Sequence, residues 1–109
     1  MPIAIRLLGA GLINTATTTA LYTAPGTVSG AIVNNIRLVN LAGSAVTINL
    51  YYTPSGGSQV RIWDWNKSIP ANDITIVKPE LTMATGDKIE LVTTGTPNIE
   101  FVVSGTERI

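Results

Sequence analysis

Ala45-Val46-Thr47-Ile48-Asn49-Leu50-Tyr51-Tyr52, residues 45–52, is the stretch that decides the fold. Val46, Ile48, Leu50 and Tyr52 fall on one side of an extended chain, and Ala45, Thr47, Asn49 and Tyr51 on the other, because successive strand side chains point to opposite faces. One apolar face and one mixed face predict a half-buried β-strand. The same period of two runs outward along the chain. Ile89 and Leu91 alternate with Lys88 and Glu90, and Ile99, Phe101 and Val103 alternate with Glu100, Val102 and Ser104. Within 31–40, Ile36 and Leu38 are expected inward and Arg37 outward. Shorter strands are expected over 3–8, 18–23, 59–63 and 73–78. Fifteen threonines and thirteen isoleucines point the same way, since a branched β-carbon loses χ1 freedom in a helix and fits a pleated surface. No window carries a sustained i, i+3, i+4, i+7 apolar pattern, so any helix is limited to a single turn.

Turn signals cut the chain at regular intervals: Ala24-Pro25-Gly26, Leu41-Ala42-Gly43-Ser44, Pro54-Ser55-Gly56-Gly57-Ser58, Pro70-Ala71-Asn72-Asp73, Thr85-Gly86-Asp87 and Gly95-Thr96-Pro97-Asn98. Each supplies a glycine for positive φ, a proline of fixed φ, or an Asn or Asp that bonds its own backbone. About eight short strands so spaced predict an all-β fold, a single jelly-roll-like β-sandwich. Residues 17–109 form that domain. Residues 1–16, apolar and then rich in Gly, Asn and Thr, read either as a first strand or as an arm docking on a neighbour.

With 109 residues the chain fits one domain with one core. Hydrophobic residues are 45% of it and charged residues 13%, and seven basic residues cancel seven acidic ones. A typical soluble domain carries roughly twice that charge, about 25%. So weak a charge protects poorly against association, so part of the surface is expected to be covered by neighbours. The cations are scattered, which argues against nucleic acid as a partner. No run approaches a membrane helix. Leu7 to Ile13 follows a single arginine and contains Gly9 and Gly11, a poor match to a secretory leader.

The chemistry of catalysis finds little to work with. There is no cysteine, hence no thiolate, disulfide or zinc knuckle. There is no histidine either, which removes the commonest general base and transition-metal ligand. No P-loop occurs, and Gly9-Ala10-Gly11 lacks the third glycine of a dinucleotide fingerprint. Ser68 lies next to Lys67, but adjacent strand residues point apart. Among the carboxylates, Asp73 and Asp87 fall in turns, while Glu90 and Glu100 alternate with core residues and read as solvated. No calcium loop of the form D-x-[DN]-x-[DN]-G is present. The expectation is a non-enzyme with no cofactor and no metal.

Trp63-Asp64-Trp65-Asn66 stands out. If the strand beginning at Gln59 continues to Trp65, Val60 and Ile62 face one side and Arg61, Trp63 and Trp65 the other. Two tryptophans there would cover a core edge, make a subunit contact, or form a sugar-stacking platform that Tyr51 could join. The candidate contact residues are therefore Ile3, Ile5 and Leu7 at the N-terminus, with Tyr51, Trp63 and Trp65.

Five segments also occur in a familiar order: Tyr22-Thr23-Ala24-Pro25-Gly26; Asn35-Ile36-Arg37-Leu38-Val39-Asn40; Ala45-Val46-Thr47-Ile48-Asn49-Leu50-Tyr51-Tyr52; Leu81-Thr82-Met83-Ala84-Thr85-Gly86-Asp87-Lys88-Ile89-Glu90-Leu91; and Val102-Val103-Ser104-Gly105. Over roughly residues 18–107 this resembles small structural proteins of tailed bacteriophages and prophages. The resemblance implies a compact β-sandwich, often trimeric, that decorates a capsid or contributes to a tail or head–tail connector. The partners it implies are the major capsid protein or other virion proteins, met on the capsid surface after synthesis in the host cytoplasm. It carries no catalytic residues over, and Pro25-Gly26 and Gly86-Asp87 match as fold-setting positions. A carbohydrate-binding module built on the tryptophans is the alternative of a different class.

Overall fold

The computed structural model describes residues 3–63, 65–95 and 97–108, with side chains from residue 7 onward. Ten strands are assigned: β1 (Ile3–Ile13), β2 (Thr18–Thr23), β3 (Gly30–Asn40), β4 (Val46–Thr53), β5 (Val60–Arg61), β6 (Lys67–Ile69), β7 (Ile74–Val77), β8 (Leu81–Met83), β9 (Lys88–Thr93) and β10 (Ile99–Arg108). They make two antiparallel sheets. The first, sheet A, runs β1-β10-β3, with β7 and β8 both on the far side of β3; the second, sheet B, runs β2-β9-β4, with β5 and β6 both on the far side of β4. β7 pairs with residues 36–39 of β3 and β8 with residues 31–33, so the two lie end to end. β5 and β6 share the edge of β4 in the same way. Ten segments thus occupy eight lanes. Following the chain, β1, β3, β7/β8 and β10 fall in sheet A and β2, β4, β5/β6 and β9 in sheet B, the interleaved winding of a jelly roll. The expected β-sandwich is the observed fold.

The period of two works as expected in the long strands. Val46, Ile48 and Leu50 of β4 face Ile36 and Leu38 of β3 across the core, and four of the five are fully buried. Each such side chain contributes about 2 kcal/mol by leaving water. Within the segment 1–16, read as a first strand or an arm, residues 3–13 form β1, paired with β10 from Ile3↔Arg108 to Ile13↔Ile99. Bulges interrupt the ladders between Leu7 and Gly9 and between Ser104 and Gly105, where β3 carries the extra residue Asn34. They change which parity points inward, so β3 buries Ala31 and Val33 and then Ile36 and Leu38.

The strand expected to run from Gln59 toward Trp65 ends at Arg61. The Ile62 amide still donates to the Leu50 carbonyl of β4 at 3.0 Å, and the chain rejoins the sheet at Lys67 after Asn66, whose φ is 51°, a left-handed conformation that asparagine tolerates. Asn49 of β4 stands opposite the gap. Its Oδ1 accepts from the Asn66 amide at 2.7 Å and its Nδ2 donates to Asn66 Oδ1 at 2.9 Å. This polar residue is buried although it belongs to the outward parity of β4, because the side-chain amide replaces the missing ladder.

The interior is polar at its ends. The Tyr22 hydroxyl of β2 donates to Glu107 Oε2 of β10 at 2.6 Å and so ties sheet B to sheet A. Glu107 is buried, unlike Glu90 and Glu100, which the sequence places on solvated strand faces. Asp87 does lie in its expected turn, yet it is also buried. Its carboxylate accepts from the Tyr52 hydroxyl at 2.5 Å and from the amides of Ser55 and Ala84, each at 2.9 Å. The Tyr52 hydroxyl, opposed by desolvation and helped by the two amides, holds this carboxyl below the usual aspartate range. Because the folded value is depressed, the stabilisation is complete above the unfolded value and is lost as pH falls through the folded one. Denaturant titrations should therefore show the unfolding midpoint of the wild type dropping below about pH 4. Asp87→Asn should start from a lower midpoint at neutral pH and show a shallower drop. An identical acid profile in the variant would assign the acid sensitivity to other carboxyls.

Candidate functional site

The described surface has one concentration of apolar residues. Nine large hydrophobic side chains are exposed, and six of them, Leu7, Leu12, Ile32, Ile74, Ile76 and Val102, come from strands of sheet A. Register places them on its outer face. Val102 pairs with Arg37 and Arg37 with Ile76; Glu100 pairs with Val39 and Val39 with Ile74; Leu12 pairs with Glu100. The six are between 37% and 60% exposed, too much for the rim of a core. At its far end the face dips into a cleft of about 390 Å³, lined by Gly30, Ile32, Thr82, Met83, Thr106 and Arg108 among others.

β7 shows that this exposure is built in. Its sequence is Ile74-Thr75-Ile76-Val77, and the pairing Leu38↔Thr75 and Ile36↔Val77 turns Thr75 and Val77 toward the core. A slip of one residue would bury both isoleucines, since register and facing are coupled. That slip is blocked upstream, where the Asn40 amide donates to the Asp73 carbonyl at 2.9 Å and Asn72 adopts φ 56°. Each isoleucine, left about half exposed, therefore forgoes roughly 1 kcal/mol of burial.

The candidate contact residues named from the sequence divide. Leu7 lies on this face, opposite Ser104. Ile3 and Ile5 pair with Arg108 and Thr106 through their backbones, and their side chains lie outside the described residues. Tyr51 is half-buried on the outer side of sheet B, between Glu90 and Arg61. The two tryptophans do not share a face. Trp63 is half-buried against the core with the Lys67 ammonium 5.6 Å from its ring centre, whereas Trp65 is 59% exposed with the Arg61 guanidinium at 5.4 Å. The break after Arg61 separates them. Asp64 falls outside the described residues. Near Trp65's side of the molecule, Glu90 accepts from the Thr53 hydroxyl and from Gln59 Nε2, and the Thr53 bond is the main cause holding its carboxyl below the usual range.

Leu12, Ile32, Ile74, Ile76 and Val102 were not singled out by the sequence reading. A signal was present: Phe101-Val102-Val103 and Ile74-Thr75-Ile76-Val77 are apolar at both parities, which a two-layer sandwich with one solvated side does not need. Among the described residues no group of three or more Asp, Glu, His or Cys is placed to hold a metal ion.

No protein-family model matches the chain, and no curated protein matches its sequence at a significant level. Solved structures do match its fold. A chain of the T13 viral particle of infectious bursal disease virus superposes with a TM-score of 0.63 at 10% identity, over 97% of this chain and 30% of that one. This chain thus spans less than a third of that viral chain. The Drosophila NLP core, whose structure bears on pentamer formation and histone binding, gives 0.53 at 10% identity over 93% of this chain and 98% of that one. PirA gives 0.50 at 9% identity, with 94% and 92% covered. At such identity the likeness establishes architecture and leaves function to be argued from the surface. The architecture is an all-β, jelly-roll-like sandwich similar to those of a virus particle and a pentameric core.

Proposed function

We propose that this chain is a structural protein of a phage-type virion, in particular a capsid decoration (cement) protein that bridges neighbouring capsid subunits. The observation that carries this reading is the outer face of sheet A, where β7 turns two isoleucines to solvent while burying a threonine's side of the strand. A face with six exposed apolar side chains on a neutral, weakly charged chain is a surface made to be covered, by the shell or by another copy. The resemblance in residues 18–107 supplies the virion context. The chain acts by binding alone, without catalysis or cofactor. Copies that bind only the assembled shell stabilise it by mass action, and homo-oligomers multiply the contacts per copy; the resemblance implies a trimer.

The test is sedimentation with expanded, empty shells assembled from a tailed-phage major capsid protein. Co-sedimentation and a shell melting temperature raised by several degrees are expected. Absence from shells, with antibody labelling on tails instead, would move the protein to a tail or connector. A second reading rests on Trp65, whose exposed ring beside Arg61 suits a sugar; glycan binding abolished by Trp65→Ala would favour it.

A further inference from the structure

The proposal that sheet A's outer face is covered in assembly leaves its occupant open, and the charges on that face select one. Four residues form a block at its centre. Glu100 and Val102 stand on β10, Val39 and Arg37 on β3, with Glu100 opposite Val39 and Val102 opposite Arg37. The two charges therefore occupy one diagonal and the two valines the other. Ile74 and Ile76 flank the block on β7, beside Val39 and Arg37. Neither Arg37 nor Glu100 makes an ion pair with another described residue, and both are exposed.

We infer that this face pairs with the same face of a second copy about a two-fold axis lying in the plane of contact. An axis close to the Val39–Val102 diagonal exchanges the ends of the other diagonal. Each Arg37 then lands on the second copy's Glu100, twice by symmetry, while the valines meet valines. A two-fold contact uses one self-complementary patch on both copies, whereas a ring of three needs two different patches. Here both charges sit on one patch, a diagonal step of about 7–8 Å apart. The contact is therefore two-fold, in place of the trimer that the resemblance implies. Exposed Leu12, Val102, Ile74 and Ile76 around the opposite charges also match an interface in which charge sets register and apolar area supplies affinity.

The test uses the full chain in analytical ultracentrifugation from micromolar to submillimolar concentration. The wild type should sediment with the mass of two chains. Arg37→Glu and Glu100→Arg should each shift the midpoint of dimerisation by tenfold or more, because two like-charge contacts replace two opposite ones. Mixed in equal amounts, the two variants should form a heterodimer, since one face is then all acidic at the block and the other all basic. This mixture separates a contact between copies from a pairing within one chain, which mixing could not restore. Both positions are exposed, so unchanged far-UV circular dichroism is expected of each variant. A monomeric wild type, a mass of three chains, variants as dimeric as the wild type, or a mixture that stays monomeric would each overturn the inference. Shell binding is read independently by sedimentation with capsids, so loss of pairing and loss of the virion reading are distinguishable.

Discussion

Gly105→Ala should lower stability by about 3 kcal/mol or more, toward the upper end of what added core atoms cost. A β-carbon at this position would sit 2.1 Å from the carbonyl oxygen of Ile32 and 3.0 Å from Leu8 Cδ1. The side-chain contact could yield, but the carbonyl belongs to β3 beside the bulge at Asn34, where β3 and β10 re-register. Relief would require separating the two central strands of sheet A. The glycine is needed for close approach of backbone, not for positive φ. For a domain of this size the loss corresponds to a fall in melting temperature of roughly 15 °C or more. Gly43→Ala is the matched control, since nothing lies within 4 Å of its β-carbon; it should be neutral or slightly stabilising by reducing the freedom of the unfolded chain. Equal melting temperatures for the two variants would show that sheet A accommodates the methyl group.

Gly105 is one of several positions where the segments quoted for the phage resemblance coincide with structural nodes. Tyr22, in the first segment, reaches Glu107 in the opposite sheet. Asn40 ends the second, Asp87 anchors the turn of the fourth, and Ser104-Gly105 closes the last. All four nodes act inside the molecule, which is why the resemblance points to a fold more firmly than to a contact surface. The long strands were legible because one parity of each is apolar. β6 and β8 were not, because three residues are too few to display a period, and prolines at 70 and 79 interrupt the reading. The contact face was only partly legible for a different reason. Alternation says which residues share a side of β7 but not which side is inward; that is fixed by pairing with Ile36 and Leu38, which is a long-range fact. The placement of the two tryptophans was out of reach for a similar reason, since the Asn49–Asn66 amide contact beside them joins residues 17 apart in sequence.

Asn40→Asp should be among the most damaging single-atom changes the chain can undergo. Asn40 is fully buried at the end of β3. Its Nδ2 donates to the carbonyls of Ser44 at 3.0 Å and of Ile69 and Pro70, both at 3.1 Å, while its Oδ1 accepts from the Ala42 amide at 3.0 Å. One side chain thus holds the 41–44 turn and the end of β6 in sheet B to the end of β3 in sheet A. An aspartate has the same shape but turns the donor into an acceptor, so a carboxylate would face three carbonyl oxygens without water. Lost bonds and stranded buried acceptors together should cost about 4 kcal/mol at neutral pH. The pH dependence carries the diagnosis. A carboxyl forced to face carbonyls folds more easily when protonated, so its folded pKa is raised and its deficit against wild type grows as pH climbs above about 4. That is the opposite sign to Asp87, whose contribution disappears on acidification. Chemical denaturation of both proteins at pH 3 and pH 7 measures it. A deficit that stays constant across this range would mean that the carboxylate finds water or a cation, and that the end of β3 is more open than its geometry indicates.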